Sequence, residues 1–278
     1  MNRLLKLIFL FILSLSVFFI YKDTKNSSFR VTIIGDQESL GINSYGIKEY
    51  SYIDYVKEDL EKYKDKVVLN KDYLEKDNSI KQVLLKLKET PNLKRILYDT
   101  NLLVISLGYN DYLYELSLEE DITNSKLKQI LNKINNNYNE LIEEIRKYYH
   151  NKIIVVGSLP KKNTNTFKEI GTKELNKILK SNDEIIYIDT EELLKSRNKY
   201  FLNPKSNYPN NEGYIVISKE IIKKTLENKE NIWYINNAFE LLWRVICHGG
   251  RRVNYEKRYS SRNKRLYSYL CLWKHFHL

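Results

Sequence analysis

The sequence predicts a three-layer α/β domain, built on a parallel sheet of about five strands, over residues 29–228. Three observations carry that expectation. Short runs of β-branched and apolar residues recur at 29–34, 66–69, 101–107, 152–156 and 184–188. Between them, apolar residues return at three- and four-residue steps, which is how a helix buries one face. The strand candidates are largely apolar along their length, with little polar alternation, as strands covered by helices on both faces require. A hydrophobic content of 42% is enough for a packed core, so disorder is not expected.

The elements are justified in chain order. Arg3 and Lys6 precede an apolar run over residues 7–21, with no small-x-small cleavage site after it and no Cys to carry a lipid. Residues 1–23 therefore read as an uncleaved signal-anchor, a transmembrane segment with its basic end inside and the rest of the chain outside the cytoplasm. A cleaved signal peptide, giving a secreted protein, is the alternative. Residues 24–28 form a polar linker. The first strand candidate, with Val31, Thr32, Ile33 and Ile34, stops at Gly35 and hands over to Asp36, Gln37, Glu38 and Ser39. Ile53, Val56 and Leu60 share one helical face, as do Ile80, Val83, Leu84 and Leu87. The longest helical pattern runs over 124–149, and a last one carries Ile217, Ile221 and Leu226.

In a parallel sheet every strand ends on the same edge, and ligands bind in the crevice outside those carboxyl ends. The loops starting at Gly35, Gly108, Gly157 and Asp189 are thus expected to face one crevice. His150 precedes a strand and belongs to the opposite edge. No other His occurs before His248, so the crevice is expected to lack an imidazole.

Charge and cysteine usage narrow the function classes. The formal net charge is +11, but residues 231–278 hold nine Lys/Arg against two acids, so the body is close to balanced and a basic nucleic-acid face is not expected. Cys247 and Cys271 both lie in that tail, which leaves the body without thiolate metal ligands. All three Trp also fall after residue 230. Residues 229–278 read either as a basic, aromatic module suited to an anionic surface or as an accidental extension from a frame-shifted or read-through end, and the second is preferred.

Three stretches bring polar groups to the crevice edge: GDQESLG at 35–41, SLGYND at 106–111 and NYPNNEGY at 207–214. In this order the chain resembles the SGNH/GDSL hydrolase family, whose pattern is a GDSLTxG turn with a Ser nucleophile, a Gly in a second block, a GxND turn and a DxxHPN segment. The resemblance implies a flavodoxin-like fold and, in its intact form, esterase, lipase or deacylase activity. The departures fall on the catalytic positions. Gln37 stands at the nucleophile position and Tyr208 at the His position, Lys205 stands at the Asp position, and no Gly occurs between Val67 and Ser79. Gly108 and Asn110, the latter at the oxyanion position, are kept, with Asp36 and Asp111 beside them as candidate binding residues.

A Ser hydroxyl needs an adjacent oriented base to attack a carbonyl, and a Gln amide cannot replace it. A phenol such as Tyr208, with an ordinary pKa of about 10, is a poor base at neutral pH. Ser39 is the possible substitute nucleophile, with Glu38 or Asp36 as base. The plainer reading makes Asp36 a turn residue and leaves Glu38, Ser39, Asn110 and Asp111 to brace their loops. Three carboxylates, Asp36, Glu38 and Asp111, raise a metal site, but without His or helical ligand spacing none is expected, nor any cofactor. The expectation is a membrane-anchored, extracytoplasmic SGNH-like domain without its triad. Its crevice would take an envelope polymer, an acyl-ester ligand or a partner. The alternatives are an active serine esterase or deacylase of the envelope using Ser39, and a purely structural anchor.

Overall fold

The computed structural model describes residues 28–42, 45–161, 166–203 and 206–227. The signal-anchor (residues 1–23), the linker to residue 27 and the tail (229–278) lie outside them. Among the described residues no helix is long and apolar enough to cross a membrane.

Five strands form one sheet: β1 (Phe29–Gly35), β2 (Val67–Leu74), β3 (Leu102–Ser106), β4 (Ile153–Val156) and β5 (Ile185–Ile188). Their order is β2-β1-β3-β4-β5, and every neighbouring pair is parallel. The chain leaves β1 toward one side and returns on the other, so the direction of winding reverses between β1 and β3. Crevices at such a reversal are the usual ligand sites of open α/β sheets.

Among the described residues nine helices flank or follow the strands: α1 (Tyr52–Glu61), α2 (Ile80–Glu89), α3 (Pro91–Asp99), α4 (Tyr109–Ser117), α5 (Asn124–Arg146), α6 (Thr166–Lys180), α7 (Thr190–Leu193), α8 (Arg197–Tyr200) and α9 (Asn211–Glu227). Alternate strand residues feed two cores. Val31, Ile33, Leu102, Val104, Ile154 and Ile188 pack with Ile53, Val56 and Leu60 of α1 and Ile217 and Ile221 of α9. Ile34, Leu103, Ile105, Ile153 and Val155 face α2 to α6, where Leu87, Leu93, Leu141 and Leu175 are wholly buried. The three layers expected from the strand composition are present.

Local chemistry sets the helix starts. Ser51 with Asp54, and Ser79 with Gln82, form reciprocal capping boxes on α1 and α2, while the Thr123 hydroxyl accepts from Lys126 N at the head of α5.

Two boundaries differ from expectation. β2 continues to Leu74, beyond the 66–69 run. Asn70, Lys71 and Asp72 look like turn residues, but they sit on an edge strand whose register with β1 slips between Thr32 and Ile34. The Asn70 side chain accepts from Asp72 N at 2.9 Å across the irregularity. The long helix α5 stops at Arg146, short of 149. Tyr149 instead turns under the sheet, its hydroxyl accepting from Leu103 N and donating to Lys152 O, both at 3.1 Å.

Candidate functional site

The turn after β1 is the first wall of the crevice. Asp36 is extended and caps a single 3-10 turn, Gln37–Ser39, its Oδ1 accepting from Glu38 N at 3.0 Å. The turn closes at Gly41, whose φ of +74° and backbone neighbour Glu49 O, 2.6 Å from where a Cβ would stand, leave no place for a side chain. Asp36 therefore does what the plainer reading assigns to it.

Ser39 is wholly buried, and its hydroxyl pairs with the Tyr52 hydroxyl at 2.7 Å. It also lies 2.9 Å from where a Cβ on Gly35 would stand, so it is packed beneath the strand end. Burial drives the Tyr52 phenol well above its ordinary pKa. The partner of Ser39 is thus a neutral phenol that cannot act as its base. Neither proposed base faces it. Asp36 caps the turn, and Glu38 points elsewhere.

Glu38 makes a buried ion pair with Lys161, a residue of the loop after β4 that sequence reasoning did not single out. The two side chains are 3% and 4% exposed, and the second Glu38 oxygen accepts from Leu159 N at 3.3 Å. The Lys161 ammonium lies 4.2 Å from the Tyr109 ring centroid and 5.9 Å from that of Tyr208. One cation therefore joins the first turn, the SLGYND stretch and the last stretch. The available signal was positional: Lys161 follows Gly157 in a loop already assigned to this edge.

Asp36 is the second buried carboxyl here, and its Oδ2 has no hydrogen-bond partner among the described residues. Desolvation, with Glu38's negative charge second, raises its pKa well above the usual carboxylate range. Tyr208, at the expected His position, is half-buried, and desolvation raises its phenol too. The phenolate that could act as a base is therefore scarcer at neutral pH than in a free phenol. Lys205, at the Asp position, lies outside the described residues.

The second stretch is also held by the chain's own backbone. Gly108 has a φ of +112° and starts α4, so Asn110 and Asp111 sit in the helix's first turn. Asp111 accepts from Ile80 N through both oxygens, at 3.2 and 3.0 Å, and so caps α2. Asn110 Nδ2 donates to Lys76 O at 3.0 Å and to Asn78 O at 2.9 Å. The Gln37 backbone N–H donates to the same Lys76 O at 3.2 Å. Both donors that converge at this turn are thus held by one main-chain carbonyl. Of the three carboxylates, Asp36 accepts from Glu38 N through Oδ1, Glu38 pairs with Lys161 and Asp111 accepts from Ile80 N, and no group of three or more His, Cys, Asp or Glu placed to hold a metal occurs among the described residues.

Beside Lys161 a cavity of about 580 Å³ opens between α6 and the segment after β5. Pro160, Asn176, Tyr187 and Leu194 line it, together with both lysines and acids. His150 lies between α5 and β4, at the far edge, as its position before a strand requires.

The GDSL-like lipase/acylhydrolase family model matches residues 31–221. No curated protein matches the chain. Among solved structures, a lipase from a goat rumen metagenome aligns with a TM-score of 0.58 at 19% identity, covering 71% of this chain and 97% of its own. A catalytic mutant of an acetylxylan esterase from Geobacillus stearothermophilus aligns with a TM-score of 0.54 at 14% identity, covering 72% and 96%. The unaltered enzyme aligns with a TM-score of 0.51 at 14% identity, with the same coverage. At such identities the likeness is one of fold.

Proposed function

We propose that this chain, which belongs to the GDSL-like lipase/acylhydrolase family, is a catalytically degenerate member, anchored in the membrane by residues 1–23, whose outward-facing domain binds an envelope-associated ligand or partner. The observation that carries the loss of catalysis is the Lys76 carbonyl oxygen, which accepts from both Gln37 N and Asn110 Nδ2. Acyl transfer needs such donors free and aimed at the oxygen that becomes negative in the transition state. Here they are satisfied before any substrate arrives. The rest of the turn agrees, because Gln37 supplies no hydroxyl and Ser39 is sealed against Tyr52.

Binding without turnover would use the cavity of about 580 Å³ that Lys161 helps to line, between α6 and the segment after β5. Its mixed-charge lining suits a polar ligand such as an envelope saccharide or its acyl ester more than a purely apolar one.

The test is turnover. The purified chain is expected to give no hydrolysis of short-chain acyl esters above buffer and no labelling by a fluorophosphonate. Gln37→Ser is expected to remain inactive, since Tyr208 and not an imidazole stands at the base position. Hydrolysis by the unaltered chain that is abolished by Ser39→Ala or Asn110→Ala would overturn the reading and favour the active esterase.

A further inference from the structure

We infer that Glu38, Tyr109 and Tyr208 form a binding cage for an aliphatic primary ammonium, and that Lys161 is the chain's own occupant of it. The inference rests on the reading of this domain as a binding module, and deepens it by assigning the chemical group through which the crevice holds a ligand.

The surroundings of one nitrogen give the first reason. The Lys161 ammonium pairs with the Glu38 carboxylate and stands 4.2 Å from the Tyr109 ring centroid and 5.9 Å from that of Tyr208. A cation beside aromatic faces is attracted by their electron-rich centres, most strongly where water is excluded. Both charged side chains are no more than 4% exposed, so water competes for neither. Burial raises the Tyr109 and Tyr208 phenols, so both rings stay neutral. Leu159 N, donating to the second Glu38 oxygen at 3.3 Å, helps to fix the carboxylate. A single carboxylate with two aromatic faces suits an organic ammonium, whereas a hard metal ion needs several oxygen ligands at once.

The neighbouring carboxyl group gives the second, independent reason. Glu38, Lys161 and Asp111 are the charges that act on Asp36, and Asp111 is taken up by Ile80 N at the head of α2. Two buried carboxyl groups, Glu38 and Asp36, are thus left to one ammonium, and Asp36 Oδ2 has no partner among the described residues. The site holds more acceptor capacity than Lys161 uses, which is what a donor-rich ammonium requires. Lys161 is also the one cage residue that lines the cavity between α6 and the segment after β5. A ligand resting there reaches Glu38 with its own ammonium only in place of Lys161. The tethered lysine competes as though present at a fixed concentration in the mM range or above. Simple amines are therefore turned away, and a ligand is admitted when its other contacts in the cavity offset that competition.

The test supplies the ammonium separately from the chain. Lys161→Ala removes the side chain beyond Cβ, which is the outline of n-propylammonium. Thermal unfolding of the full chain is followed by circular dichroism with n-propylammonium chloride, and with 1-propanol or sodium chloride at the same concentration. The variant is expected to regain most of its lost midpoint with n-propylammonium and none with the other two. Where the variant stays unfolded without an additive, refolding yield is read with the same three additions. Adding Glu38→Gln to Lys161→Ala is expected to weaken the response to the amine roughly ten- to hundredfold, through loss of a charge-assisted hydrogen bond. The unaltered chain is expected to respond only at concentrations roughly tenfold or more higher, because its own lysine competes. Equal amine responses in Lys161→Ala and the double variant, or in Lys161→Ala and the unaltered chain, overturn the cage. So does an equal response to 1-propanol or sodium chloride. Hydrolysis of short-chain acyl esters by the unaltered chain overturns the loss of catalysis whichever way the rescue falls, so the two readings fail separately.

Discussion

Removing the charge of Lys161 while keeping its methylenes, as in Lys161→Met, strands the Glu38 carboxylate in a site where it is 3% exposed. Breaking one side of a buried ion pair costs about 3–5 kcal/mol, because the surviving charge has neither solvent nor partner. Its remaining fixed donor is Leu159 N at 3.3 Å, too little to hold a full charge. Against a total stability of about 5–15 kcal/mol, that is a large fraction. For a domain of this size it corresponds to a fall in Tm of roughly 6–20 °C. The double variant Glu38→Gln, Lys161→Met removes both charges and is expected to lie near the unaltered chain or up to about 1–4 kcal/mol above it. Far-UV circular dichroism during urea and thermal unfolding of the four chains closes the cycle. A single variant as stable as the double would refute the placement of this pair in a solvent-free site.

Gly41→Ala is expected to cost about 2 kcal/mol or more in the same unfolding assay, since it joins a left-handed backbone to a Cβ 2.6 Å from Glu49 O; a loss below half that would mean the turn relaxes freely. Tyr52→Phe removes the partner of the Ser39 hydroxyl and is expected to lower stability by about 1 kcal/mol without creating esterase turnover; turnover appearing in this variant would show that Ser39 is competent once released. Asp36 has a folded pKa raised by burial, whereas an unfolded aspartate titrates near 3.9. Its contribution is full below the unfolded value and is lost as pH rises toward the folded one, so Asp36→Asn, which keeps an acceptor for Glu38 N, is expected to flatten the decline of stability with rising pH. An unchanged slope in that variant would place the titration elsewhere.

The fold was legible because burial on two faces leaves a composition signature. Ile33 and Ile34 point to opposite cores, so neither position of the pair tolerates a polar residue, and the same holds along β3 and β4. The polar half of β2 was not, because an edge strand faces solvent and its Asn70–Asp72 irregularity uses the same residues as a turn. Helices α3, α4 and α6 were not singled out, and the four-residue helices α7 and α8 are too short to show a periodicity.

In the site, Gln37, Asn110 and Tyr208 lie along the stretches the motifs indicate, yet their partners were invisible. No spacing rule couples Glu38 to Lys161, 123 positions apart. Nor does a side-chain pattern report that Lys76 contributes its main-chain carbonyl, since every residue has one. Ser39 was legible as a hydroxyl near the right place but not as one turned under Gly35, because a 3-10 turn of three residues decides its direction.

The Lys76 carbonyl has a kinetic and thermodynamic consequence that does not depend on which ligand the protein meets. A tethered acceptor competes with dissolved ones as though present at a fixed local concentration, in the mM range for a flexible tether and far higher for a rigid one. Lys76 is held one residue beyond Glu75, whose N–H donates to Gly35 O at 3.2 Å, and two before Asn78, whose amide is tied to Gly35 O and Tyr73 O. It is closer to the rigid case. An ester carbonyl diffusing in from solution at ordinary metabolite concentrations would therefore be outcompeted at these donors by the chain's own backbone. On the function proposed for this chain, an ester carbonyl could reach these donors only if the segment between β2 and α2 moved first.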